Sequence, residues 1–278
     1  MPYKEDSVFS KELNDNDKVW RYVDFAKFAD LLIRKQLFFV SASILVKIDP
    51  YEGYFDEIKL GGIEEPTQRD SKEYAKIYEQ LKDHTREEHP KFLFVNCWHV
   101  NDFDNDAMWK LYATKDWGIA IQTTVKNLKA SLESCPRRID FCRVNYIDHS
   151  QKQIIYTNLH DRFSVKGISF KHENELRLFV LDVIPRDDYV SIDDKKYKLE
   201  INDLSKNHRP LAKNENGIYI NVNLDHLIEK VYVSPMSDDW FVELVCSIAK
   251  NYGINENLVM KSKLYKKPNF TKTNQKIT

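Results

Sequence analysis

The chain has 278 residues, 42 basic and 43 acidic side chains for a net charge of −1, 13% aromatic residues and seven glycines. That composition excludes a disordered chain and describes a globular protein built from regular elements, and a charge so near zero supplies no molecule-wide field toward nucleic acid or membrane. Cys97, Cys135, Cys142 and Cys246 are scattered without C-x-x-C spacing and read as reduced thiols of a cytoplasmic protein, not as a metal site. The start, Met1 to Lys18, is polar and acidic, unlike a signal peptide. No run approaches the roughly 18 apolar residues of a spanning helix, so no membrane partner is expected.

In chain order, Trp20 to Val23 predicts a short strand, and Asp24 caps a helix from Phe25 to Lys35 whose Phe25, Phe28, Ala29, Leu32 and Ile33 form one stripe. Leu37 to Ser43 is an apolar run that closes on small hydroxyl residues, and Asp49-Pro50-Tyr51-Glu52-Gly53 is a turn. Pro66 to His89 is charged and helix-forming, with its end at Arg86 to His89 read as loop and His84 and His89 as exposed. Phe92 to Trp98 predicts a strand buried on both faces. An acidic loop, Asn101 to Asp106, leads to a short helix Ala107 to Ala113, then a strand Trp117 to Thr124, a helix Val125 to Ser134 and a strand Ile139 to Ile147.

Phe170 to Leu181 opens hydrophilic and closes apolar, as a strand whose first residues project from a sheet edge. Alternation puts Glu173, Glu175 and Arg177 on one face and Leu176, Leu178 and Val180 on the other. From this stretch alone, a solvated strand end with a charge pair competes with a catalytic site. Strands near Tyr189 to Ile192, Gly217 to Val222, Lys230 to Val233 and Leu258 to Lys261 follow, with a helix from Asp238 to Tyr252. The order lacks a regular β-α-β beat and predicts an α+β fold: a polar tail at 1–18, one mixed-sheet domain at 19–262 with a helical insertion at about 64–90, and a basic tail at 263–278.

Several chemistries lack their motifs. There is no G-x-G-x-x-G, phosphate loop, G-x-S-x-G or H-E-x-x-H. What remains is an ordered set: Trp20-Arg21-Tyr22, then Ser41-Ala42-Ser43, then Glu173-Asn174-Glu175. The set resembles the arginine, serine-x-serine and glutamate-x-glutamate motifs of ADP-ribosyltransferases. That resemblance implies a split sheet with a C-terminal α/β extension, NAD as substrate, and a macromolecular acceptor, protein or nucleic acid. It implies that Glu175 holds the ribose and faces the ribosyl cation, that Glu173 orients or deprotonates the acceptor, that Arg21 with Tyr22 binds the dinucleotide, and that Ser41 and Ser43 position the glutamate. Tyr51 and Tyr54, on a loop by sequence, supply the candidate ring-stacking aromatic.

A longer combination, Arg21-Tyr22, Asp49 to Gly53, Met108 to Ala113, Gly118 to Ile121 and Glu173-x-Glu175-x-Arg177, resembles an uncharacterised bacterial family, domain of unknown function number two thousand nine hundred seventy-one, from Trp20 to about Met260. It implies a bacterial, often mobile-element or defence-associated setting and no established reaction; a transferase of the kind above would act there as a toxin or defence effector. Asp49 also reads as a plain Asx turn, Trp109 and Tyr112 as core packing, and Arg177 as a lock on Glu175 or Glu52. Two other functions compete. One is a metal-dependent nuclease using Asp49, Glu52, Glu173 and Glu175, disfavoured because Arg177 stands where a lysine is expected; the other is a non-catalytic interaction module.

Overall fold

The computed structural model describes residues 13–49, 51–53, 57–58, 72–148, 155–156, 161–181, 189–192, 195–198, 213–214 and 216–267. In chain order the elements are β1 (Lys18–Asp24), α1 (Phe25–Arg34), β2 (Gln36–Ser41), α2 (Ala42–Ile48), β3 (Glu57–Ile58), α3 (Lys72–Phe92), β4 (Leu93–Val100), α4 (Asp106–Tyr112), β5 (Gly118–Thr124) and α5 (Val125–Ser131). There follow β6 (Asp140–Arg143), β7 (Asn145–Ile147), β8 (Ile155–Tyr156), β9 (Val165–Gly167), β10 (Glu175–Leu181), β11 (Tyr189–Ile192), β12 (Lys195–Lys198), β13 (Lys213–Asn214), β14 (Gly217–Asn221), α6 (Leu224–Leu227), β15 (Lys230–Val233), α7 (Asp239–Asn251) and β16 (Val259–Lys261). Among the described residues this is an α+β protein with a ten-stranded, mostly antiparallel mixed sheet and three two-stranded sheets beside it.

The backbone of the sheet runs β13-β14-β2-β4-β1-β5-β15-β16, with β10 and then β6 joined to β4. Every pairing on this path is antiparallel except β15 with β16, which are parallel and joined through α7. Strand β10 pairs with β4 from Glu175↔His99 to Leu181↔Leu93 and so occupies one edge of β4. The other edge is shared. Strand β2 takes only Phe94 and Val95, and β1 takes only His99 and Val100. Between those contacts Asn96, Cys97 and Trp98 face a fork where β1 and β2 part.

One face of the sheet carries the principal core, in which Phe28, Leu32, Phe39, Trp98, Leu176, Leu178, Val231 and Phe241 pack with almost no exposure. Each such side chain stabilises the fold by about 1.5–3 kcal/mol. Alternation sends Leu176, Leu178 and Val180 there and Glu175, Arg177 and Phe179 to the opposite face. On that opposite face Trp20, Tyr22, Met108, Trp109 and Ala120 form a smaller cluster that seats α4 on β1.

Local signals account for most boundaries. Asp24 caps α1 by accepting from the Lys27 amide at 2.8 Å, and Lys35 ends it in the left-handed conformation at φ 53°. Asp49 makes the Asx turn, accepting from the Tyr51 amide at 2.9 Å.

Four expectations need correction. The Arg86 to His89 stretch is not loop: α3 continues to Phe92 through Pro90, and His89 is buried beside Arg162, whose Nη2 lies 3.3 Å from His89 Nδ1. The Ile139 to Ile147 stretch is two strands, because β6 pairs with β10 while β7 pairs with β9 outside the main sheet. Glu173 is not a strand residue. It ends a short 3-10 turn, Ile168–Glu173, and Asn174 at φ 40° redirects the chain into β10. Nor is this strand end solvated, since Glu173 is 4%, Glu175 7% and Arg177 1% exposed.

Candidate functional site

A cavity of about 770 Å³ opens at the fork, and residues from both faces of the sheet line it. Strand β1 contributes Arg21 and Tyr22, β2 contributes Phe38, β4 contributes Asn96 to His99, β10 contributes Glu175 and Arg177, and α4 contributes Tyr112. Its size and its apolar walls with a few convergent polar groups are those of a ligand site.

The carboxylates hang in a chain of ion pairs. Arg177 donates from Nε to Glu175 Oε2 at 2.5 Å, and its forked guanidinium meets both oxygens of Glu52 and the Phe163 carbonyl. Glu52 is placed by its turn. Gly53 adopts φ +70° there, and a Cβ on it would stand 2.6 Å from the Phe163 ring. On the other side, Lys166 hydrogen-bonds Glu173 Oε2 and lies 3.5 Å from Glu175 Oε1. Tyr112 donates its hydroxyl to the remaining oxygen of Glu173 at 2.5 Å.

This wiring makes the two glutamates unequal. Burial alone would push Glu175 up, but Arg177 and Lys166 hold its carboxylate down at about 2. Burial and the adjacent Glu175 charge raise Glu173 above the ordinary carboxyl range, against the pull of Lys166 and Tyr112. The two carboxyls are thus pushed in opposite directions, an inequality of the kind that paired carboxyls use for acid and base chemistry.

Asn174 holds the pair at this spacing. Its Nδ2 donates to the Val100 carbonyl at 2.6 Å and its Oδ1 accepts from Arg143 at 3.1 Å. His99, opposite Glu175 in the register, has Nδ1 2.6 Å from the Glu173 carbonyl. Since a carbonyl only accepts, Nδ1 carries the proton, and burial lowers the ring's proton affinity, which keeps it neutral.

Arg21 occupies the fork itself. Its Nη2 is 3.4 Å from the Phe38 carbonyl, which also accepts from Asn96 Nδ2 at 2.8 Å, and its Cζ lies 5.9 Å from the Trp98 ring centroid. Nη1 is buried with no hydrogen-bond partner. Burial brings its proton affinity down to about 10, so the guanidinium is still charged at neutral pH. The Cys97 thiol, pushed up to about 12 by burial, feels the charges of Glu175, Arg177 and Arg21 together.

Of the residues expected from sequence, Glu173, Glu175, Arg21 and Tyr22 meet in this cavity. Tyr22 also holds α4: its hydroxyl accepts the Asn105 amide at 2.8 Å and its ring meets Trp109 edge-on at 5.1 Å. Ser41 and Ser43 do not line the cavity. Ser41 caps α2, its hydroxyl lies 2.8 Å from that of Ser43, and it donates to the Pro90 carbonyl at 3.2 Å, so neither hydroxyl reaches Glu175. Tyr51 stands on its turn, 56% exposed and off the cavity wall, and Tyr54 lies outside the described residues. Trp109 is core as expected, whereas Tyr112 is 45% exposed and belongs to the site. Lys166, His99 and Tyr146, whose hydroxyl accepts the Glu175 amide at 2.9 Å, escaped sequence reading. No motif spacing marks them.

Comparison with protein-family models, curated proteins and solved structures gave no match. Among the described residues, no helix is long and apolar enough to cross a membrane.

Proposed function

We propose that this protein moves ADP-ribose from NAD to a macromolecular acceptor, protein or nucleic acid, as the likeness to ADP-ribosyltransferases implies. The observation that carries the reading is the convergence, on one cavity, of Arg21 with a glutamate pair more than 150 residues later. In the reaction the C1′–N bond of NAD breaks and its electron pair leaves with neutral nicotinamide. Glu175, permanently ionised, faces the ribosyl oxocarbenium ion, where a fixed carboxylate in a dry site stabilises developing positive charge. An acceptor oxygen or nitrogen then attacks C1′, and its proton passes to the ionised fraction of Glu173. Arg21, on the cavity wall and still charged at neutral pH, carries a forked cation suited to a phosphate or ribose oxygen. A role as a bacterial toxin or defence effector rests on the two resemblances, to ADP-ribosyltransferases and to the uncharacterised bacterial family.

The metal-nuclease reading is disfavoured by the donor set. The oxygens of Glu52, Glu173 and Glu175 are already engaged by Arg177, Lys166 and Tyr112, and the described residues contain no group of three or more His, Cys, Asp or Glu side chains arranged to hold a metal ion. Incubation with NAD labelled in its adenylate half should label an acceptor and release nicotinamide. Glu175→Gln should lower that release by at least about a hundredfold, since it removes a charge aimed at the transition state. Unchanged release in this variant, with its circular dichroism intact, overturns the mechanism; magnesium-dependent degradation of DNA or RNA would favour the nuclease instead.

A further inference from the structure

Lys166 lies on β9, outside the main sheet, paired with Tyr146 of β7, and is 9% exposed. Its ammonium sits 4.6 Å from the Phe170 ring centroid and contacts both glutamates. The second oxygen of each carboxylate has a different partner. For Glu175 it is the Arg177 guanidinium, a full cation; for Glu173 it is the Tyr112 hydroxyl, which is neutral. Glu175 thus faces two cations and Glu173 one. Without the shared cation the two buried carboxylates would face each other as like charges and compete for one proton.

We propose that Lys166 is a positioning residue that lets the two glutamates keep separate roles: in contact with both and hydrogen-bonded to Glu173, its ammonium holds Glu173 as a group able to give up its proton, while Arg177, which touches Glu175 and not Glu173, fixes Glu175 as the anion. The use made of that exchange rests on the transfer reading above; the assignment itself does not. The charged and titratable groups around Glu173 are Lys166, Tyr112 and Glu175 at its carboxyl, His99 at its backbone carbonyl and His172 beside it, with Arg177, Glu52 and Tyr146 behind Glu175.

The assignment can be read on the full chain without any ligand, by following the glutamate side-chain carboxyl carbons by NMR across pH in wild type, Lys166→Met and Lys166→Arg, with Glu173→Gln identifying the resonance. In Lys166→Met the Glu173 midpoint should rise by about 1–3 pH units, the effect of losing an opposite charge at contact distance. Lys166→Arg keeps a cation there and should titrate close to wild type. A midpoint unmoved in Lys166→Met, or moved as far in Lys166→Arg, overturns the assignment, and Lys166→Gln, likewise without the charge, is read the same way if the methionine variant does not fold. Nicotinamide release measured against pH separates this from the reaction. A shifted NMR midpoint in a protein that releases no nicotinamide leaves Lys166 in its role and removes the transferase reading. Release whose acidic limb stays in place in Lys166→Met keeps the transferase reading and removes Lys166.

Discussion

At the residue scale, the opposed proton affinities of Glu173 and Glu175 give a signature in stability as well as in chemistry. A carboxyl whose folded value is depressed, as Glu175's is to about 2, contributes stability that is present above its ordinary value near pH 4 and lost as the pH falls toward 2. Glu173, raised, has the opposite sign: its contribution is full below about pH 4 and is lost as the pH rises through its elevated folded value. The free energy of unfolding in urea should therefore decline from pH 4.5 upward more steeply in wild type than in Glu173→Gln, which removes the titrating group but keeps an acceptor for Lys166. Parallel profiles for the two proteins would refute the raised value. Sequence could point to Glu173 and Glu175 because they are two apart. Lys166, seven and nine residues upstream on a strand of its own, carries no such signal, and a 3-10 turn folds it back where no periodicity could announce it.

At the element scale, caps and turns were legible because a side chain bonds its own neighbours: Asp24 on the Lys27 amide and Asp49 on that of Tyr51 follow from composition and short spacing. Boundaries set by distant partners were not. The join between the 3-10 turn and β10 is the clearest case. Asn174 takes φ 40°, which asparagine tolerates better than most residues, and spends its amide on Val100 and Arg143. Two substitutions separate these roles. Asn174→Gly loses the side-chain bonds but accepts the backbone; Asn174→Ala loses the same bonds and adds left-handed strain. Alanine should be the less stable variant by about 1 kcal/mol in urea denaturation. Equal stabilities would mean that the turn relaxes out of its left-handed state and that Asn174 acts through its amide alone.

At the scale of the whole molecule, a mixture of strand and helix signals without a regular β-α-β beat sufficed for an α+β fold, but the strand order did not follow from it. Strand β10 reaches β4 across some 75 residues, and β1 and β2 share one edge of β4 only because the three pair at different heights. The cavity opens at that fork, and Arg21 stands in it with one guanidinium nitrogen buried and unpaired. A charge so placed costs stability in the free protein, because burial without full pairing is not repaid by the single 3.4 Å bond to Phe38. Arg21→Met, apolar and similar in length, should leave the melting temperature unchanged or raise it. If the proposed function holds, millimolar NAD should stabilise the wild type by an amount that grows as RT ln(1 + [L]/Kd), and Arg21→Met should abolish that shift. Opposite signs on stability and binding are expected where a residue serves a ligand at the fold's expense. A loss of stability in ligand-free Arg21→Met, with the NAD-induced shift intact, would make Arg21 a brace between β1 and β2 and leave the cavity's recognition to its other walls.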